Sequence, residues 1–369
     1  MKVAYLLGAL NRGGTETLLL DVFRNADKAA YEMVGIHRKG GAYQEDFYAT
    51  SPKMIQCTPK KFGILRYLWQ LRKHLLHEHV THVHAQQSLD CIYGWLATIG
   101  AGIQVVETFH GYDFKEGRVG KWINALSIRM ADKVCFVSKT QKEYYAKVYG
   151  IKNKNKLHVV YNGIDFGKLD AKYQVPDFLS QLDSAAPRRI RLAMVGNFVS
   201  VRSQNSIVRS IGVLRQQGVE NFDFYFIGKK NEAEPQMYDD CVQYCREHHM
   251  KNVHFIGGRG DVPAILQNID GFVYATNFDT FGIAVVEAMA LGLPVVVNDW
   301  DVMQEVTYKG EWATLYKTGD DKDGAKAIRT LIDHIEETKK KAKKVSKEVR
   351  SAYSIETHIQ RLTEVYNTL

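Results

Sequence analysis

The chain has 369 residues, 45% hydrophobic and 24% charged, with a formal net charge of +8. That length and apolar content suffice for two well-packed domains. No run approaches the eighteen apolar residues of a membrane-spanning helix, and the positive charge comes without a helix-turn-helix, zinc or RNP-type signature, so the sequence excludes an integral helical membrane protein and a conventional nucleic-acid binder.

The opening "MKVAYLLGALNRGGTE" has a short apolar run like a signal-peptide core. It enters Gly13-Gly14 too soon, and reads instead as a first buried strand. "EMVGIH", "THVHAQ", "QVVETFHG", "DKVCFVS" and "LHVVYNG" continue as strands, each leading into a turn and mostly into a helix. That rhythm predicts a parallel sheet covered on both faces. Between the early strands, Lys60 to His79 reads as a helix with two apolar stripes. Ile64, Leu68, Leu71 and Leu75 suit docking onto the sheet. Leu65, Trp69 and Leu76 are left over, with Arg72 between them and Lys60, Lys61, Arg66 and Lys73 nearby. Residues 1 to 170 carry 24 Lys and Arg against 15 Asp and Glu, net +9, whereas the remainder is net −1. Two lobes meeting different partners are expected.

Phe166 to Arg191, with two prolines and Ser184, reads as a connection. The pattern then restarts with "RLAMVGN", "FDFYFIG", "NVHFIGG", "GFVYAT" and "LPVVVN". In Phe278 to Val297, "FDTFGIAVVEAMALGLPVVV", a helical stretch ends at Gly292 and Pro294 and passes into a buried strand. Asp279 or Thr280 is expected to cap that helix, so that the amides of Phe281, Gly282 and Ile283 point outward as a phosphate site. Glu287 lies over one turn further on, too far from Asp279 to share one glycosidic bond with it. The pair instead suits the two ends of a long ligand with a diphosphate in the middle. "KKKAKK", Lys339 to Lys344, reads as a solvated helix face, and the final helix, from about Ile355, could lie across either lobe. The five cysteines lack metal-ligand spacing and read as reduced packing residues of a cytosolic protein.

"DTFGIAVVEAMALGLPVVV" resembles the signature of retaining GT-B glycosyltransferases, especially glycosyltransferase family four (glycosyl transferases group 1). "LNRGGTE", "HVHAQ", "VVETFHGYDF", "ADKVCFVSKTQKEY", "VVYNGID", "VGNFVSVRSQNSI", "FYFIGKK", "NVHFIGGRGDVPAILQNIDGFVYAT" and "SAYSIETHIQRLTEVY" follow the family's order along nearly the whole chain. The resemblance implies two Rossmann-like, doubly wound parallel-sheet domains facing a central cleft. Expected boundaries are 1–168 for the acceptor-side domain, 169–190 for the linker, 191–352 for the nucleotide-sugar domain, and 353–369 for a helix crossing back.

It also implies roles. Glu287 matches the residue holding the donor's ribose, while Thr280, Phe281, Gly282 and Ile283 match those meeting diphosphate and sugar. Asp279 falls on a longer glutamate that contacts sugar hydroxyls. Arg202 stands for a phosphate-binding lysine and Asn197 replaces an arginine of the same cradle. Val262 matches the base-reading backbone, and Gly13 and Gly14 admit the donor phosphates without a Cβ in the way. His110 matches a histidine beside the reaction centre; with Asp279 and Arg202 it forms the expected catalytic set. His84 and Gln86 are expected on the acceptor side, with His84 open to a packing role. "NDWD", Asn298 to Asp301, contains an Asp-x-Asp in the wrong context for a metal site, so no cofactor or required metal is expected.

The implied activity is transfer of a sugar, with retention, from a nucleotide diphosphate sugar (UDP-sugar favoured over GDP-sugar) to a hydroxyl of a glycan or lipid-linked acceptor. Bacterial surface glycan, capsule or lipopolysaccharide synthesis is the expected setting, in the cytoplasm at the inner face of the cell membrane, with contact to anionic lipid and none to nucleic acid. The alternatives are a sugar-nucleotide epimerase of this fold and a non-catalytic sugar-nucleotide binder.

Overall fold

A computed structural model of the chain describes residues 1–58, 63–183 and 189–368. These divide into two units, Met1–Ile164 with Tyr353–Leu369, and Asp165–Ala352. The division falls a few residues before the expected boundary at 168. Much of the expected linker belongs to the second unit, as helices Phe166–Asp170 and Asp177–Asp183. Gln267 Nε2 ties the first of these down by donating to the carbonyls of Leu169 (2.6 Å) and Ala171 (2.8 Å). Ser184 lies outside the described residues.

The first unit contains strands β1 (Lys2–Ala9), β2 (Glu32–Lys39), β3 (Lys53–Gln56), β4 (His82–Ala85), β5 (Gln104–Phe109), β6 (Lys133–Phe136) and β7 (Leu157–Val159). They form one parallel sheet in the order β3-β2-β1-β4-β5-β6-β7. The second contains β8 (Ile190–Val195), β9 (Phe222–Ile227), β10 (Val253–Gly257), β11 (Gly271–Tyr274), β12 (Val295–Asn298) and β13 (Thr314–Tyr316). They run parallel in the order β10-β9-β8-β11-β12-β13. Val3 to Leu7 and Val295 to Val297 are buried throughout, as strands covered on both faces must be. Strand order reverses between β1 and β4, and again between β8 and β11. Crevices at strand carboxyl ends open at such switch points.

The chain returns to the first unit at its end. Ile164 N donates to Tyr353 O (2.9 Å) and Ile355 N to Ile164 O (3.0 Å). A Cβ on Gly163 would stand 2.8 Å from Ile355 Cα, so this close approach needs glycine. Ser354 caps the helix Ile355–Asn367 by accepting from Thr357 N. Ile355, Ile359, Leu362, Val365 and Tyr366 pack against Val3, Tyr5, Leu7 and the helix Gly14–Arg24. Burial of each such side chain stabilises by roughly 1.5–3 kcal/mol.

The helix Gly63–His77 buries Tyr67, Leu71 and Leu75. Ile64, expected in that stripe, is exposed, because Tyr67 takes the inward position and stacks edge-on against Tyr93. The second stripe does stay outside: Leu65 is 80% and Trp69 61% exposed. Arg72 is not its cationic partner, since Nη1 donates to the carbonyls of Ala97 (2.9 Å) and Ile99 (2.8 Å), closing the end of the helix Ser88–Thr98. Lys73 lies over the Trp69 ring instead, 5.7 Å from its centroid. Lys60 and Lys61 lie outside the described residues. All five cysteines are buried and free. Among the described residues no helix is long and apolar enough to cross a membrane.

Candidate functional site

At the switch point of the second unit, the loop after β8 and the loop after β11 are knitted together. Ser203 N donates to Ala275 O (3.1 Å), Asn277 N to Val201 O (3.1 Å) and Thr276 Oγ1 to Val201 O (2.9 Å). Asn298, at the end of β12, fixes Thr276 on both sides: Thr276 N donates to its Oδ1 (2.9 Å), and its Nδ2 donates to Thr276 O (2.7 Å). The knit brings Arg202 against β11, where its Nε donates to the Tyr274 hydroxyl (2.9 Å) and that hydroxyl donates to Asp279 Oδ2. Tyr274 and, beyond it, Asp279 push the Arg202 guanidinium above its ordinary range despite burial, and burial pushes the Tyr274 phenol up. A fixed cation, a neutral relay and a carboxylate therefore stand in a row. Arg202 Nη1 also reaches the Asn197 carbonyl, at 3.4 Å. Asn197 Oδ1 accepts from Lys229 N (2.9 Å), joining the loops after β8 and β9, while its carbonyl accepts from Gln204 Nε2 (3.1 Å).

The helix after β11 runs Ile283–Ala290, and its N-cap is Gly282. Asp279 and Thr280 do not cap it. Gly282 adopts φ +83°, a left-handed conformation that a side chain would strain, and its carbonyl accepts from Val285 N and Val286 N. The loop's own geometry starts the helix, so the Asp279 carboxylate stays with Tyr274. Val285, Val286, Ala288, Met289 and Ala290 are buried, whereas Ile283, Ala284 and Glu287 are half-buried. Glu287 thus shares the accessible face with Ile283, one turn on, and this explains a carboxylate in an apolar helix. Val262 opens the helix Val262–Gln267, just after an Arg259–Asp261 ion pair. Asp299 of the Asp-x-Asp accepts from both the amide and the hydroxyl of Thr318 (2.7 Å each). Among the described residues no three His, Cys, Asp or Glu are grouped to hold a metal ion.

In the first unit, Gly13 caps the helix Gly14–Arg24. A cavity of about 470 Å³ lies at the carboxyl ends of β4 and β5, lined by Gln86, His110, Glu107, Glu116 and Asn124 among others. His110 Nε2 lies 2.8 Å from Gln86 Oε1, which makes the histidine the donor. Burial pushes His110 down to about 3, so it is neutral at neutral pH. His84 is not on the cavity wall. Buried, it places Nδ1 2.6 Å from Tyr366 Oη and Nε2 2.7 Å from Thr108 Oγ1, a packing role rather than an acceptor-side one. Sequence reasoning passed over Tyr274 and Glu107. Both were visible, one as a polar residue at a strand's carboxyl end and the other as a charge inside an apolar strand. Burial pushes Glu107 up to about 7, against Ser88, Ser127 and Cys91 beside it. Ser127 donates to its Oε1 (3.1 Å), but Ser88 gives its proton to Asn124 Oδ1 (2.8 Å), and Oε2 has no partner. An unmet buried acceptor costs about 1–3 kcal/mol.

The buried histidines set a pH dependence. His84 is pushed to about 3, His110 to about 3 and His358 to about 4, each first by burial. Folded pKa values below the ordinary 6.5 mean that the unfolded chain takes the protons, so their contribution is full above pH 6.5 and is lost as pH falls. Glu107, raised, acts oppositely: its contribution is full below 4.5 and lost as pH rises through 7. Between pH 7.5 and 5.5 three histidines lose stability while one glutamate regains it, so the histidines prevail. The thermal midpoint of unfolding should therefore be lower at pH 5.5 than at 7.5. An unchanged or higher midpoint would refute the assignment.

With this geometry in place, comparison with known proteins is decisive for class. The Glycosyltransferase Family 4 model matches residues 12–168, and the Glycosyl transferases group 1 model matches residues 189–334. The chain belongs to these glycosyltransferases, and its two parallel-sheet units make the two-domain GT-B fold. It is 21% identical over 316 residues to the putative glycosyltransferase EpsF of Bacillus subtilis, covering 81% of this chain and 79% of that one. It is 24% identical over 243 residues to the UDP-Gal:alpha-D-GlcNAc-diphosphoundecaprenol alpha-1,3-galactosyltransferase of Escherichia coli, covering 64% and 62%. A crystal structure of Anabaena Alr3699/HepE in complex with UDP aligns with TM-score 0.85 at 19% identity over 100% of both chains.

Proposed function

We propose that this glycosyltransferase moves a sugar from a UDP-sugar to a hydroxyl of a lipid-diphosphate-linked glycan, with retention and without a required metal, during assembly of a bacterial surface polysaccharide. One observation carries the reading. Arg202, Tyr274 and Asp279 stand in a row beside a helix N-terminus, with Glu287 one turn down its accessible face. Arg202 and the first helix amides would hold the diphosphate, Glu287 the ribose and Asp279 the sugar. In the step proposed, the acceptor oxygen bonds to the anomeric carbon on the face that the phosphate leaves. The carbon–phosphate-oxygen bond breaks, and the departing oxygen takes the hydroxyl proton. His110, kept neutral by burial and with Nε2 donating to Gln86 Oε1, is not the base that takes that proton. Positioning and preorganised charge then supply the catalysis.

The UDP complex of HepE and the acceptor named for the E. coli relative support the choice of donor and acceptor. Thermal-shift screening with sugar nucleotides, followed by product analysis with and without acceptor, tests the reading. Transfer only when acceptor is present supports it. An altered sugar from donor alone would favour an epimerase instead.

The membrane is proposed as the place where such an acceptor is met, at its cytoplasmic face. The helices Gly63–His77, Ser88–Thr98 and Arg118–Met130 pack side by side. Leu65, Trp69, Leu96, Ile99, Val119 and Trp122 are exposed on them, with Lys73, Arg118 and Lys121 among them. Each cation near an anionic surface adds about 1 kcal/mol. Co-sedimentation with anionic liposomes is expected at low salt, falling at high salt and in Trp69→Ala with Lys73→Glu. Equal sedimentation with neutral liposomes would sink it. Arg72 is left intact because it closes a helix end.

A further inference from the structure

The cavity of the first unit has a charge pattern at odds with its surroundings. Residues 1 to 170 carry a net +9. Yet Glu16, Glu107 and Glu116 line the cavity, and neither Lys nor Arg does. Glu107 is 1% exposed and faces the cavity from β5, with Oε2 unmet; Gln86 is 7% exposed and faces it from the end of β4, with Nε2 unmet. Asn124 Nδ2 donates to Glu116 Oε2 (2.9 Å), which fixes a second carboxylate on the wall. An unmet carboxylate oxygen asks for a donor, and an unmet amide N–H asks for an acceptor. A hydroxyl can be either. A carboxylate or phosphate placed here would instead face three glutamates, with no Lys or Arg on the cavity wall.

Resting on the glycosyltransferase reading above, we propose that this cavity seats the terminal sugar of the acceptor and selects an uncharged one. Glu107 and Gln86 bind its hydroxyls, and Glu107 with Glu116 exclude acidic sugars. The diphosphate of a lipid-linked acceptor then lies outside the cavity. Glu107 is the specificity determinant: Ser127 satisfies its Oε1, and Oε2 is left without a partner.

The test is binding of methyl glycosides to the full chain, followed by saturation-transfer NMR. Methyl glucoside, methyl galactoside and methyl N-acetylglucosaminide are compared with methyl glucuronide and glucose 6-phosphate. At least one neutral glycoside should bind at least tenfold more tightly than both acidic ones. Glu107→Gln should weaken the neutral ligand by about tenfold, and Glu107→Gln with Glu116→Gln should bring the ratio of neutral to acidic binding close to one. An unchanged circular dichroism spectrum and a single cooperative thermal transition show that each variant is folded, the first unit included. Equal or tighter binding of an acidic ligand to the unaltered chain overturns the inference, as does absence of any glycoside binding or an unmoved ratio in the double variant. Those results would leave the glycosyltransferase reading intact if a sugar nucleotide still binds and is turned over. Failure to bind any sugar nucleotide would instead count against that reading, whatever the cavity does.

Discussion

Replacing Arg202 with alanine is expected to slow sugar transfer by about 10²–10³-fold, equivalent to roughly 2.7–4 kcal/mol of transition-state stabilisation. The magnitude is large because the neighbouring position offers no substitute. Asn197 is neutral, and its side-chain oxygen is committed to Lys229 N. Tyr274 and Asp279 hold Arg202 in one orientation before any ligand arrives, so the charge needs little reorganisation. Arg202→Lys should recover part of the rate, because it restores charge without the planar fork. Tyr274→Phe should cost less than Arg202→Ala, since it loosens the guanidinium without removing it. Initial rates at saturating donor and acceptor decide the matter, and near-normal turnover in Arg202→Ala would show that the leaving group is held elsewhere.

Glu287→Gln and Asp279→Asn should fail in different ways. Glu287 stands on the accessible face of the helix one turn beyond Ile283, whereas Asp279 precedes that helix and is tied to Tyr274. Loss of a charge-assisted hydrogen bond costs about 1.5–3 kcal/mol. Glu287→Gln should therefore raise the donor dissociation constant by roughly 10- to 100-fold, with turnover at saturation little changed. Asp279→Asn should do the reverse, because the same change also weakens the partner that orients Arg202. Calorimetry of donor binding beside saturation kinetics separates the two. Equal losses of affinity in both variants would refute this division of labour.

Composition and pattern alone determined much of this molecule. Apolar runs such as Val3 to Leu7 and Val295 to Val297 could only be strands covered on both faces, and their alternation with helical spacing dictated two parallel sheets. Strand ends likewise marked the loops that carry His110, Arg202 and Asp279, because parallel sheets gather ligands there. The tertiary structure decided what local pattern does not encode. Tyr274 is one more polar aromatic in a strand until the loop after β8 folds against β11 and gives Arg202 to it. Arg72 reads as a surface cation until the helix Ser88–Thr98 presents two unpaired carbonyls within its reach. His84 resembles a ligand-side histidine until the last helix returns and brings Tyr366 against it, 282 residues away in sequence. Glu107 was passed over as one charge in an apolar strand, and that it faces a cavity with no Lys or Arg on its wall depends on how the surrounding helices pack. Side-chain period and turn residues act over a few positions, whereas the partner of a buried polar atom is set by how distant elements pack.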